Sequence, residues 1–76
     1  MTESVHRYRV QPLDIEGHPA RVLQETSFEA AAVAFAEDFG AGMEHDAVRL
    51  VVRDLDSGHE HCFRVDLDTD AASPCA

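Results

Sequence analysis

The run His59-Glu60-His61-Cys62 concentrates the side chains best suited to holding a metal. In an extended strand His59 and His61 are two apart and share a face, so both imidazoles can reach one ion. If Ser57-Gly58 forms a two-residue turn, Asp54 stands opposite His61 and Asp56 opposite His59. A cation site of Asp54, His59 and His61 is then one reading, with Asp56 beside it. Cys62 points to the other side of the strand and cannot join. No second Cys/His pair with ligand spacing accompanies the motif. A solvated Asp54–His61 pair at a hairpin tip is the simpler account. Catalytic machinery is absent from the pattern. His6, His18 and His45 stand in separate segments, Ser57 lies in a turn, and there is no Gly-rich phosphate loop. His6, on an apolar strand face, reads as a histidine at the rim of the core. The expectation is a non-catalytic protein with no cofactor.

Arginine forms the second set. All six basic residues are Arg, against 15 acidic ones, for a net charge of −9. Arg7, Arg9, Arg21, Arg49, Arg53 and Arg64 alternate with apolar residues, and the facing adopted below projects all six to one side. Guanidinium groups suit carboxylate, phosphate or other planar anions. The functional expectation is a small binding or accessory module whose Arg-bearing sheet face engages an acidic protein segment or another anion. A cross-strand salt-bridge lattice with Glu25, Glu60 and Asp66 is the bland alternative. The acidic balance disfavours bulk nucleic-acid binding, and Tyr8 and Phe63 point inward, away from any base-stacking role.

The elements that must position these residues follow from hydrophobic period. Val5 to Leu13 alternates, with His6, Tyr8 and Val10 on one face and Arg7, Arg9 and Gln11 on the other. Pro12 ends this strand or marks an edge. Residues 14–19, with Gly17, read as a loop. Ala20 to Glu25 reads as a second strand with Val22 inward and Arg21, Leu23 and Glu25 outward, since the opposite facing buries two charges. Thr26 or Ser27 caps a helix, with Glu29 placed for a capping box on Thr26. Phe28, Ala31, Ala32, Phe35 and Phe39 line one helical stripe, and Gly40 and Gly42 stop it. Ala30, Val33 and Ala34 make its outer side more apolar than solvent requires. Residues 43–46 link to a hairpin in which Val52 pairs with Phe63, Leu50 with Val65 and Val48 with Leu67.

The sum is an α+β domain, ββαββ, with a four-stranded, mainly antiparallel sheet and one amphipathic helix on one face. Its expected core is Tyr8, Val10, Val22, Phe28, Ala31, Ala32, Phe35, Phe39, Val48, Leu50, Val52, Phe63, Val65 and Leu67. No internal repeat is apparent. The domain spans residues 4–69, with 70–76 a flexible tail.

At 76 residues the core is small, and a homodimer is a natural supplement. No apolar run approaches the ~18–20 residues of a membrane helix, and Met1-Thr2-Glu3-Ser4 carries no secretion signature. These point to a cytoplasmic protein without membrane contact. In that setting Cys62 and Cys75 are expected as free thiols.

Three stretches carry a resemblance. They are Tyr8-Arg9-Val10, Arg21 to Ala31, and Val51-Val52-Arg53-Asp54-Leu55-Asp56-Ser57-Gly58-His59-Glu60-His61-Cys62-Phe63-Arg64-Val65. The chain resembles a family of small bacterial proteins of unknown function. The resemblance implies a compact stand-alone domain and supplies no activity, cofactor or site.

Overall fold

The protein is described by a computed structural model covering residues 5–13, 17, 19–40 and 46–75, the side chains of Phe39 and Gly40 aside. The elements are β1 (His6–Pro12), β2 (Arg21–Glu25), α1 (Phe28–Gly40), β3 (Ala47–Asp54), β4 (Glu60–Asp66) and β5 (Ala72–Pro74). They form one antiparallel sheet in the order β2-β1-β3-β4-β5, and α1 crosses one face in contact with all five strands.

The α+β class stands, with five strands where the sequence suggests four. The fifth strand, Ala72–Pro74, lies within the segment read as a tail. β1 is internal, between β2 and β3, and Pro12 is its last residue. A missing N–H costs least at a strand end. Ser27 caps α1: its hydroxyl accepts from Ala30 N–H at 3.0 Å, and its carbonyl accepts from Ala31 N–H at 3.1 Å. The stop expected at Gly42 and most of the 43–46 link fall outside the described residues, as do His18 and His45.

The core is Tyr8, Val10, Ala31, Ala32, Phe35, Ala36, Val48, Leu50, Val52 and Val65. Leu23, Phe28, Phe63, Leu67 and Ala72 pack around it. Val22 is the error in the expected core. It is 56% exposed, and its neighbour Leu23 turns inward instead. β2 is an edge strand, so Arg21 can follow Leu23 to the helix side and still reach solvent. There Nη1 of Arg21 meets Oδ2 of Asp38 on α1 at 3.5 Å. The burial cost that disfavoured this facing does not arise at a sheet edge.

The β3–β4 hairpin is in a different register from that expected. Val48 pairs with Val65, Leu50 with Phe63 and Val52 with His61. The slip is two residues, so every side chain keeps its face. The cause is Asp54. Its Oδ1 accepts from the N–H of Asp56 at 2.8 Å and of Ser57 at 3.2 Å, an Asx turn. Gly58 N–H then donates to Asp54 C=O, and Asp54 N–H donates to His59 C=O. Gly58 takes φ +80°, open to glycine without strain. The loop is therefore Leu55 to His59, and the turn expected at Ser57-Gly58 is not the one that forms.

Candidate functional site

The open face of the sheet carries Arg7, Arg9, Arg49, Arg53 and Arg64. Tyr8 and Val10 are buried under α1, so their strand neighbours Arg7 and Arg9 point away. The same alternation on β3 buries Val48, Leu50 and Val52 and turns Arg49 and Arg53 outward. Arg21, expected among them, is on the helix side with Asp38. The register sets Arg9 directly across from Arg53 and Arg49 directly across from Arg64. Between these two rows lies a row of Gln11, Val51 and Cys62. Among the described residues the expected salt-bridge lattice is absent around four of these arginines: no ion pair joins Arg7, Arg9, Arg53 or Arg64 to Glu25, Glu60 or Asp66. Arg9 instead donates to the Gln11 side chain at 3.3 Å, and Arg7 lies 3.9 Å from Asp56.

Cys62 and Cys75 are joined by a disulfide across this face, and Cys75 N–H donates to Cys62 C=O at 3.0 Å. The expected free thiols are thus replaced by a bond that ties the end of β5 to β4. Pairing of β5 with β4 brings the two Cα atoms to 5.3 Å, within the span a disulfide needs.

Asp54, His59 and His61 are not gathered into one cluster. His61 lies on the helix side and meets the Phe28 ring edge-on, centroids 4.4 Å apart. His59 sits in the loop, its N–H donating to Ser57 Oγ. Asp54 converges with Asp56, as the motif suggests, but around His6. Pairing of β1 with β3 sets Tyr8 across from Asp54, which brings His6 to the hairpin loop. Nδ1 of His6 is 3.4 Å from Oδ2 of Asp54 and 3.7 Å from Oδ2 of Asp56. Among the described residues these three form the one group of His, Cys and carboxylate side chains with metal-like spacing, their atoms all within 4.8 Å.

The electrostatics of that corner follow from burial and hydrogen bonding. The Asp54 side chain is 8% exposed. Burial alone raises its pKa. The N–H groups of Asp56 and Ser57, the charge on His6 and the Ser57 hydroxyl outweigh this and hold it below its ordinary value. Tyr8 is pushed up by burial and by the charges of Asp54 and Asp56. His6 was invisible as a partner because nothing in its own strand points to Asp54; only strand order joins them.

No helix of the described residues is long and apolar enough to cross a membrane. A single five-stranded antiparallel sheet with one covering helix and a solvent-facing arginine surface defines a small α+β domain. The chain matches the family of unknown function DUF5961 over residues 6–76, and it belongs to that family. No curated protein and no solved structure matches it.

Proposed function

We propose that the protein is a non-catalytic binding module whose open sheet face docks an acidic protein segment. The observation that carries this reading is the pairing of Arg9 with Arg53 and of Arg49 with Arg64 across neighbouring strands. Like charges directly opposed in a sheet are destabilising, and the Glu60 across from Arg53 on its other side makes no ion pair with it, so a bound anion would relieve the Arg9–Arg53 opposition. An extended acidic segment suits it better than a point anion. The two rows are four residue steps apart along β3, about 13 Å, a span that same-face side chains four residues apart on an extended chain can match. The net charge of −9 makes the face a local exception on an acidic molecule. That favours a partner whose recognition depends on local geometry, and disfavours nucleic acid. Exposed Val22, beside Arg9 in the register, adds an apolar contact at the rim.

The test uses a poly-glutamate peptide and amide chemical shifts of the full chain at low ionic strength. Shifts confined to the open-face residues of β1, β3 and β4 are expected. Arg53→Glu with Arg64→Glu should weaken binding about tenfold or more while the melting transition persists. Unchanged affinity in the double variant, or equal shifts with poly-glutamine, overturns the reading. Stronger binding to inorganic phosphate than to the peptide replaces the acidic segment with a phosphate ligand.

A further inference from the structure

The arginine face does not account for the corner of the molecule where His6 meets the β3–β4 loop. The two aspartates there are arranged alike. Asp54 commits Oδ1 to the N–H groups of Asp56 and Ser57, and Asp56 turns Oδ1 toward Nη2 of Arg7 at 3.9 Å. Each is left with Oδ2, and both Oδ2 atoms face His6 Nδ1. That nitrogen is shut off from solvent and has no hydrogen-bond partner among the described residues. A buried ring nitrogen without a partner is unusual and calls for a ligand or an ion.

The separations and the donor types together narrow the ligand class. In a tetrahedral site with metal–ligand bonds of about 2.1 Å, neighbouring ligand atoms stand about 3.4 Å apart. Nδ1 lies 3.4 Å from one Oδ2 and 3.7 Å from the other. These distances are too long and poorly aligned for good hydrogen bonds, but they match ligand–ligand edges. We propose that His6 Nδ1, Asp54 Oδ2 and Asp56 Oδ2 bind a first-row divalent transition cation of the zinc type. One imidazole nitrogen among the donors separates this site from those of magnesium and calcium, which take oxygen ligands. Three protein ligands leave the fourth position to water.

The surroundings support the assignment. The hydrogen bonds that fix Oδ1 of Asp54, and the Arg7 contact to Asp56, orient both carboxylates as outer partners orient metal ligands. Asp54 is rigid within its turn and nearly buried, while Asp56 is half-exposed and gives the ion a way in. The site is distinct from the His59/His61 pair: the His61 ring packs against Phe28, and neither histidine belongs to the cluster.

The experiment is zinc titration of the metal-stripped full chain by calorimetry, with excess magnesium present. Uptake of one equivalent with a dissociation constant of micromolar order or tighter is expected. His6→Gln and Asp56→Asn should each weaken it by at least about tenfold. His59→Gln with His61→Gln should leave it unchanged. Asp56 lies in an exposed loop and its backbone N–H survives the substitution, so this variant tests the site even if His6→Gln disturbs β1. In the wild-type chain, zinc should shift the amides of His6 and of residues 54–57. Absence of uptake would mean that the corner is an ion pair only. Full retention of binding in Asp56→Asn, or its loss with the His59 and His61 substitutions, also overturns the site.

Discussion

Asp54 shows how much one side chain decides. It ends β3, starts the loop with an Asx turn, and faces His6 from a nearly buried position. Asp66 does the same at the next turn: its Oδ1 accepts from Asp68 at 2.8 Å and Thr69 at 3.4 Å, and its carbonyl accepts from Asp70 N–H. The two loops are Asp54-Leu55-Asp56-Ser57-Gly58 and Asp66-Leu67-Asp68-Thr69-Asp70. Gly58 and Asp70 both hold positive φ, +80° and +59°. This short Asp-Leu-Asp motif marks both loops, but it is too brief to register as an internal repeat, and reading Ser57-Gly58 as a two-residue turn passes over it. Asp54 also carries a pH dependence. Its folded pKa lies below the ordinary 3.8, so the unfolded chain binds the proton first as pH falls. Its charge contributes stability that is fully present above 3.8 and lost as pH falls through the folded value. Asp54→Asn keeps an acceptor for the turn but removes the charge. In urea titrations the wild-type advantage over this variant should shrink as pH drops below 3.8. An advantage independent of pH would show that the charge contributes nothing.

At the scale of the element, alternation in β1, β3 and β4 is legible because each is sandwiched or half-covered and a wrong face would expose apolar side chains. The hairpin slip of two residues leaves that pattern untouched, so hydrophobicity cannot detect it. Turn hydrogen bonds decide it. β2 departs from its expected facing for the opposite reason: its charges sit at an edge, where solvent and Asp38 both lie within reach of Arg21. The slip matters to the proposed docking face because it moves Arg49 opposite Arg64, where the expected register gives Arg49 opposite Asp66. A consequence can be measured. Arg9 lies across from Arg53 and two positions from Arg7. Arg9→Glu exchanges repulsion for attraction and should raise stability by about 0.5 kcal/mol in urea denaturation. The same variant should bind poly-glutamate less tightly. Loss of stability on this substitution would mean that the opposed arginines are not a cost to the fold.

Across the whole molecule, strand order and the closure of the C-terminal segment are the decisive features. The Cys62–Cys75 bond closes a loop over 13 residues and fastens β5, a three-residue strand, to the sheet edge. Constraining a loop of that length contributes about 3 kcal/mol. The expected stability of 76 residues is roughly 4–11 kcal/mol, so the bond is a large share of it. Cys75→Ser, or reduction by a dithiol, should lower unfolding free energy by about 3 kcal/mol and expose the amides of β5 to exchange. An unchanged urea midpoint would place the disulfide outside the folding balance. By itself the sequence determined the α+β class, the apolar faces of the helix and of three strands, and five of the six arginines on the open surface. Those features follow from period and local propensity, which act between near neighbours in the chain. Tertiary structure alone decided that β1 lies between β2 and β3, that His6 meets Asp54 and Asp56, and that Cys75 reaches Cys62. Each joins residues distant in sequence through strand order and backbone hydrogen bonds, and no pattern within one segment records them.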